Sequence, residues 1–245
     1  MKSLGVIVAR GGSKRVPRKV LRTLAGHPVI AWMVRAALNS GLDRVILSTE
    51  DEEIAATAES YGAEVPFRRS QELAQDDTRN DAVLLDALER VDANASFGAV
   101  VLLQSAAPFV RSEQIDSCVA HLAQSTANCV FAARAVREPP EWMFRQTPQG
   151  TVERLLGGDL IGGDQLSQAH RTAMIPAGSV WAVRASSLRA GEAIYTPPLA
   201  MVEVPHECAV DLDEEMDFLV AEATAEHYQF TLPPLPDRRS AQRNS

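Results

Sequence analysis

Arg10-Gly11-Gly12-Ser13-Lys14, continuing through Arg15, Arg18 and Lys19, follows directly on the apolar run Leu4–Ala9. Two glycines let a backbone turn tightly and bring its N–H groups close to an anion. Ala9 to Ser13 would then supply the cradle, and Arg10, Lys14 and Lys19 the charge that a triphosphate needs. Six of the thirteen residues 10–22 are basic and none is acidic, a density that repels itself unless an anion is nearby. The G-x-x-x-x-G-K-[ST] pattern and the dinucleotide fingerprint are both absent, so neither of those phosphate loops is in question. The competing reading is a solvated basic loop. A second pair that could do chemistry is Asp211 and Asp213. On a strand they project to one face while Val210 and Leu212 point to the other. Two carboxylates so placed repel unless a cation sits between them, and Mg²⁺ takes one or two carboxylates plus phosphate oxygens and water. Asp213 could instead cap the helix expected from Glu214 to His227, a duty that Asp211 could not share.

Other candidates carry two readings each. Gln104 ends an apolar run, and its amide could match the amino and carbonyl groups of a pyrimidine or simply bond to backbone. Of Arg68 and Arg69, one is expected to be solvated. Asp76 and Asp77 could cap the following helix or face a ribose, the cap being favoured. The five histidines have no metal spacing, and Trp142 and Trp181 read as core or subunit contacts.

The elements that must position these residues alternate in type. Strands are expected at Leu4–Ala9, Val45–Leu47, Ala99–Gln104, Cys129–Ala133, Ser179–Val183, Ala200–Val204 and Ala209–Leu212. Helices are expected at His27–Ser40, after an N-cap at Thr49 as far as Gly62, at Asp81–Val91, at Ser112–Gln124 and from Glu214. Glu50–Glu53 suit the positive end of the second helix. Such alternation predicts an α/β fold, a mostly parallel sheet with helices on both faces, whose ligands bind beyond the carboxyl ends of the strands. The pattern breaks at 137–178, which holds Pro139–Pro140, Gly157–Gly158 and Gly162–Gly163. That stretch is expected to be an excursion serving dimerisation or substrate binding within a single domain, 1–232. Residues 233–245 are expected to form a mobile tail.

Charge is distributed unevenly. Residues 1–42 carry eight Lys or Arg and no acid, whereas 190–236 carry ten acids and no Lys or Arg. Both could converge on one site, phosphates meeting the first and a cation the second. The net charge of −8 argues against nucleic acid as a partner. The absence of long apolar runs argues against a membrane. Cys118, Cys129 and Cys208 read as buried thiols in a reducing compartment, hence a cytoplasmic setting.

Arg10–Lys19 resembles the opening motif of the acylneuraminate cytidylyltransferase family, the CMP-sialic acid synthetases with their pseudaminate and legionaminate relatives. The likeness continues through Leu24–Ile30 with Trp32, Ser48–Asp51, Arg68–Ser70 with Glu72–Ala74 and Asp76, Leu103-Gln104 with Pro108 and Arg111, and Val210–Asp213 with Asp217-Phe218. It covers about residues 4–225 and is weakest between 137 and 175. The resemblance implies a Rossmann-like nucleotidyltransferase domain, a homodimer, and attack of a sugar-acid hydroxyl on the α-phosphate of CTP. It further implies that Arg10, Lys14 and Lys19 hold phosphates and that Arg69, Asn80 and Gln104 contact the nucleotide. Asp211 and Asp213 would bind Mg²⁺, while Gln104, His170 and Gly178 would lie towards the sugar. Departures from the family pattern at Val20, at Ala106-Ala107, and at Ala177-Gly178 with Trp181 each remove a polar group. They leave open another ulosonic acid, pseudaminate or an eight-carbon one, or a nucleotide-binding dimeric scaffold without turnover.

Overall fold

In the computed structural model, which describes residues 1–156 and 172–236, the central sheet has six strands. In chain order these are β1 (Ser3–Val8), β4 (Arg44–Ser48), β5 (Ala99–Gln104), β6 (Cys129–Ala135), β9 (Met174–Arg184) and β10 (Leu199–Glu203). Two short ladders, β2 (Thr23–Leu24) with β3 (His27–Pro28) and β7 (Phe144–Gln146) with β8 (Val152–Arg154), stand apart from it. The order across the sheet is β10-β6-β9-β5-β1-β4. β1 runs parallel to β4 and β5, and β10 parallel to β6; β9 alone is antiparallel to both its neighbours.

Side-chain alternation divides the core into two faces. Ile7, Leu47, Val101 and Val180 pack on one side against α1 (Val29–Leu38), α2 (Glu52–Ser60) and α4 (Ser112–Gln124). Val6, Ile46, Leu102 and Trp181 pack on the other against α3 (Asn80–Val91) and α5 (Ala185–Arg189). This is the expected sheet covered on both faces. A third cluster, with Val16, Trp32, Phe109 and Leu212, seats α6 (Glu215–Tyr228) and anchors the basic loop beyond the sheet.

Four expectations need correction. Residues 209–212 do not form a strand: alternation of Val210 and Leu212 gave the pattern, but the segment meets no free strand edge. Among the described residues its backbone hydrogen bond towards the sheet region is Leu212 N–H donating to the Ala106 carbonyl at 3.0 Å. The second helix is capped by Asp51, whose carboxylate accepts the Ile54 N–H at 2.9 Å, with Thr49 one step back accepting from Asp51 N–H. The expected excursion is partly regular: β7 and β8 form a hairpin, and β9 already begins at Met174. The start of the expected tail is fastened, since the Pro234 carbonyl accepts from Asn39 Nδ2 at 2.9 Å.

Candidate active site

The carboxyl ends of β1, β4 and β5 lie side by side, so the residues after them converge. Ser105 follows Gln104 and donates its hydroxyl to the Val8 carbonyl at 2.7 Å, closing the floor between two strand ends. A cavity of about 250 Å³ opens there, lined by Ala9, Arg10, Ser13, Lys19, Arg69, Asn80 and Gln104 among others. Seven of the ten residues named for the nucleotide thus share one hollow. Lys14, Gly11 and Gly12 lie in the loop at its mouth. The side-chain amides of Gln104 and Asn80 make no hydrogen bond with any described residue, which leaves donors and acceptors for a ligand.

Cation density in the loop is balanced by acids from elsewhere in the chain. Asp76 pairs with Arg10 at 2.8 Å and with Lys14. Asp213 pairs with Lys19 at 3.0 Å and Arg15 at 2.8 Å. Arg18, itself in the left-handed region at φ 54°, pairs with Asp51 and Glu53. The self-repulsion that pointed to a phosphate is therefore met in part by carboxylates that stand where phosphate oxygens could stand. Asp76 faces the loop, and the N-cap of α3 is Arg79, so the cap reading for Asp76 is not the structure's. Gly11 is needed for close approach: a Cβ there would lie 2.5 Å from the Asp51 carboxylate.

Glu50 was not among the candidates, because the four acids Glu50–Glu53 at the start of a helix look like dipole partners. Its carboxylate instead accepts the Gly11 N–H at 2.7 Å and pairs with Arg69 at 2.7 Å. The same Arg69 nitrogen donates to the Ala9 carbonyl at 2.8 Å. Of the two neighbouring arginines, Arg68 is the surface one, pairing with Glu52 at 3.0 Å.

Asp211 and Asp213 flank fully buried Leu212 and stand close together despite the missing strand. By surface area Asp211 is exposed, yet protein atoms crowd round its carboxyl. That crowding, with the Asp213 carboxylate next, pushes its carboxyl up to about 6 against the pull of Lys19. Crowding would also raise Asp213, but Lys19 and Arg15 outweigh it and hold it below the usual range. The N-cap of α6 is Glu214, in a capping box with Asp217, whose carboxylate accepts the Asp213 and Glu214 N–H groups at 2.7 Å each, so the Asp213 side chain does not cap the helix. Among the described residues no cluster of three or more His, Cys, Asp or Glu could hold a metal. The pair offers two hard oxygen donors whose like-charge contact Lys19 and Arg15 relieve only in part, which suits Mg²⁺ completed by phosphate oxygens and water rather than a closed protein cage.

A second groove, about 690 Å³, is lined by Asp211 together with Arg134, Arg137, Met143, His206 and Val220, and by the further acids Glu138, Glu207 and Asp217. Gly178, at φ +75° in the irregular stretch of β9, backs onto Asp211. Of the three polar losses, Val20 and Ala106 line the nucleotide-side cavity, Ala107 and Ala177 are buried, and Trp181 is buried with its indole N–H on the Tyr195 hydroxyl at 2.8 Å. His170 lies outside the described residues.

A parallel-type sheet carrying a glycine-rich cationic loop after its first strand and a carboxylate pair beside it defines a nucleotidyltransferase-like α/β protein. The cytidylyltransferase family model matches residues 4–154, more than half of the chain, and the chain belongs to that family. It is 31% identical over 219 residues to the pseudaminic acid cytidylyltransferase of Campylobacter jejuni, covering 89% of this chain and 93% of that protein. It is 30% identical to the CMP-N,N'-diacetyllegionaminic acid synthase of Legionella pneumophila, covering 95% and 100%. Among solved structures, a CMP:2-keto-3-deoxy-manno-octonic acid synthetase in complex with CTP superposes with a TM-score of 0.66 over 94% of this chain and 99% of that one. At 16% identity that likeness speaks for the fold alone.

Proposed function

We propose that the protein transfers CMP from CTP to a nine-carbon, sialic-acid-like sugar acid and releases pyrophosphate. The observation that carries the reading is position: Asp211 lines the groove bearing Arg134 and Arg137, and its neighbour Asp213 pairs with Lys19, which lines the cation-lined cavity. A triphosphate in the first would hold its α-phosphate against the pair. A sugar acid in the second would set its carboxylate towards arginines that make no ion pair with a described residue. The two relatives, named for pseudaminic and legionaminic acids, support a nonulosonic acid as acceptor.

In this reading Gln104 and Asn80 contact the base and ribose, while Arg10, Lys14 and Lys19 exchange their carboxylate partners for phosphate oxygens. Asp211 and Asp213 would hold Mg²⁺, which would supply positive charge opposite the charge that develops on the phosphoryl oxygens. Lys19, released from Asp213, neutralises the pyrophosphate that leaves. Positioning and electrostatics are most of what such a transfer needs.

A homodimer belongs to the same reading. The β7–β8 hairpin exposes Phe144 and Val152, which are 52% and 67% accessible, and α6 turns Met216 and Leu219 outward beside the sugar-side groove. A cytoplasmic setting is supported by three free, buried thiols. The test is pyrophosphate release from CTP and Mg²⁺ with a panel of sugar acids. Release with one or more nine-carbon acids is expected. Release only with an eight-carbon acid would reassign the acceptor, and none with any acid, in protein that still binds CTP, would leave the scaffold reading.

A further inference from the structure

We propose that Glu50 is a positioning residue for the nucleotide, a clamp that sets both the start of the phosphate loop and the orientation of the Arg69 guanidinium. The inference rests on the cytidylyltransferase reading but comes from a separate set of contacts. Glu50 follows β4 by two residues, and the loop it holds follows β1. One of its carboxylate oxygens accepts the Gly11 N–H at 2.7 Å, and the other takes Arg69 at 2.7 Å. Arg69 in turn reaches the Ala9 carbonyl at 2.8 Å, so one acid and one base staple the chain on either side of Arg10.

Both side chains are withdrawn from water, Arg69 to 4% exposure and Glu50 to 10%. A buried ion pair adds little to stability over an apolar pair of the same shape, but it fixes geometry strictly, because either charge alone is costly. Here it fixes a residue that also lines the nucleotide cavity, and whose Nε is buried with no protein partner. Glu50 therefore decides which guanidinium edge is spent on the protein and which is left over. It also keeps the Gly11 N–H occupied, so the anion must be met by the cations and by N–H groups further along the loop. With no contact to the ligand required, its effect passes wholly through Gly11 and Arg69.

Glu50→Gln and Glu50→Asp separate charge from reach, and Glu50→Gln combined with Arg69→Gln removes both charges, so that a folded variant is available even if the single change leaves Arg69 too costly to bury. Each is assayed for melting temperature, CTP KM, kcat, and deuterium exchange of the 9–15 segment without nucleotide. Charge-assisted hydrogen bonds of this kind correspond to about a tenfold to hundredfold change. The expected result is a rise of that size in CTP KM for Glu50→Gln with a smaller change in kcat, partial rescue in Glu50→Asp, and faster exchange in the loop. Lower melting temperature with wild-type CTP KM and unchanged exchange would overturn the clamp and leave a purely structural pair. Wild-type protein that ignores CTP would remove the nucleotide reading itself, while the exchange would still decide whether Glu50 holds the loop.

Discussion

A Cβ on Gly178 would lie 2.7 Å from an Asp211 carboxylate oxygen, so the bare backbone of β9 is what lets that acid stand where it lines the arginine-bearing groove. The φ of +75° adds a second demand for glycine, since a side chain there costs about 1–2 kcal/mol. Gly178→Ala is expected to fold with a melting temperature lowered by a few degrees. Its turnover should fall and its Mg²⁺ requirement rise, because the displaced carboxylate no longer faces Asp213. Wild-type Mg²⁺ titration of turnover in this variant would show that Asp211 is free to move and is not held for a cation.

Asp211 and Asp213 should separate in their pH behaviour. The Asp211 carboxyl is pushed up to about 6, above its unfolded value, so without metal the folded state is relatively favoured when it is protonated. Its ionisation then costs stability as pH rises through about 6, the reverse of a paired carboxylate. Asp211→Asn is expected to melt higher than wild type at pH 8 without metal, the gain vanishing below pH 4. Asp213 is held low by Lys19 and Arg15, so Asp213→Asn should lose a little stability at neutral pH. Turnover should drop in both by at least about a hundredfold. Thermal melts across pH, alongside activity with saturating CTP and millimolar Mg²⁺, check both halves. Near-wild-type turnover in both variants would remove the metal assignment.

Local chemistry was legible in the sequence where it depended on neighbours in the chain. The apolar run before Arg10 and the glycine pair sit where periodicity and turn chemistry put them, whereas Asp211 and Asp213 flank buried Leu212 without the strand that their alternation suggested. What depended on remote partners was not. Thr49 and Asp51 are both good cap residues, and only packing of the 49–51 turn chooses Asp51. Nothing local marks β9 as antiparallel, because a strand buried on both faces looks alike in either direction. Glu50 and Asp76 look like ordinary helix-start acids until the fold brings Arg69, Arg10 and Lys14 against them.

Away from the site, Asp92 closes α3 and should dominate acid stability. Its carboxylate accepts Ser96 N–H and Oγ–H at 2.7 Å each, Phe97 N–H at 3.1 Å and Arg189 at 2.5 Å. Burial alone would raise its pKa, but these bonds outweigh it and bring the group down to about 2. A folded value below the unfolded one contributes stability that is complete above about pH 4 and is lost as pH falls towards 2. Asp92→Asn is expected to cost about 1–3 kcal/mol at pH 7 and much less at pH 2, read from urea unfolding at each pH. A cost that does not change with pH would mean that the charge is not what these donors require.

The exposed apolar residues of the hairpin and of α6 lead to an expectation about size. Sedimentation at micromolar concentration should show twice the 26.6 kDa chain mass. Phe144→Glu with Leu219→Glu should shift the population to monomer while leaving the melting of the sheet domain nearly unchanged, since neither side chain is in the core. A wild-type monomer throughout the micromolar range would refute the dimer.

Gln104 bears on which nucleotide is chosen. It ends β5 at the cavity floor, and its amide has no hydrogen-bond partner among the described residues, so both its N–H donors and its carbonyl are available. Cytosine offers an amino donor beside the ring N3 acceptor, whereas uracil reverses both, with a carbonyl acceptor beside an N3–H donor. An amide set against that edge discriminates because the wrong base leaves a buried polar group unpaired, at about 1–3 kcal/mol. Gln104→Ala should therefore raise the KM for CTP and narrow the CTP over UTP preference by about tenfold, with turnover at saturating CTP much less affected. Gln104→Glu should narrow it differently: the carboxylate accepts from the cytosine amino group but cannot donate, so CTP keeps part of its advantage. Competition assays with both nucleotides at fixed sugar acid give the ratio directly. Selectivity unchanged in both variants would take Gln104 out of base recognition and move that role to backbone groups of the cavity.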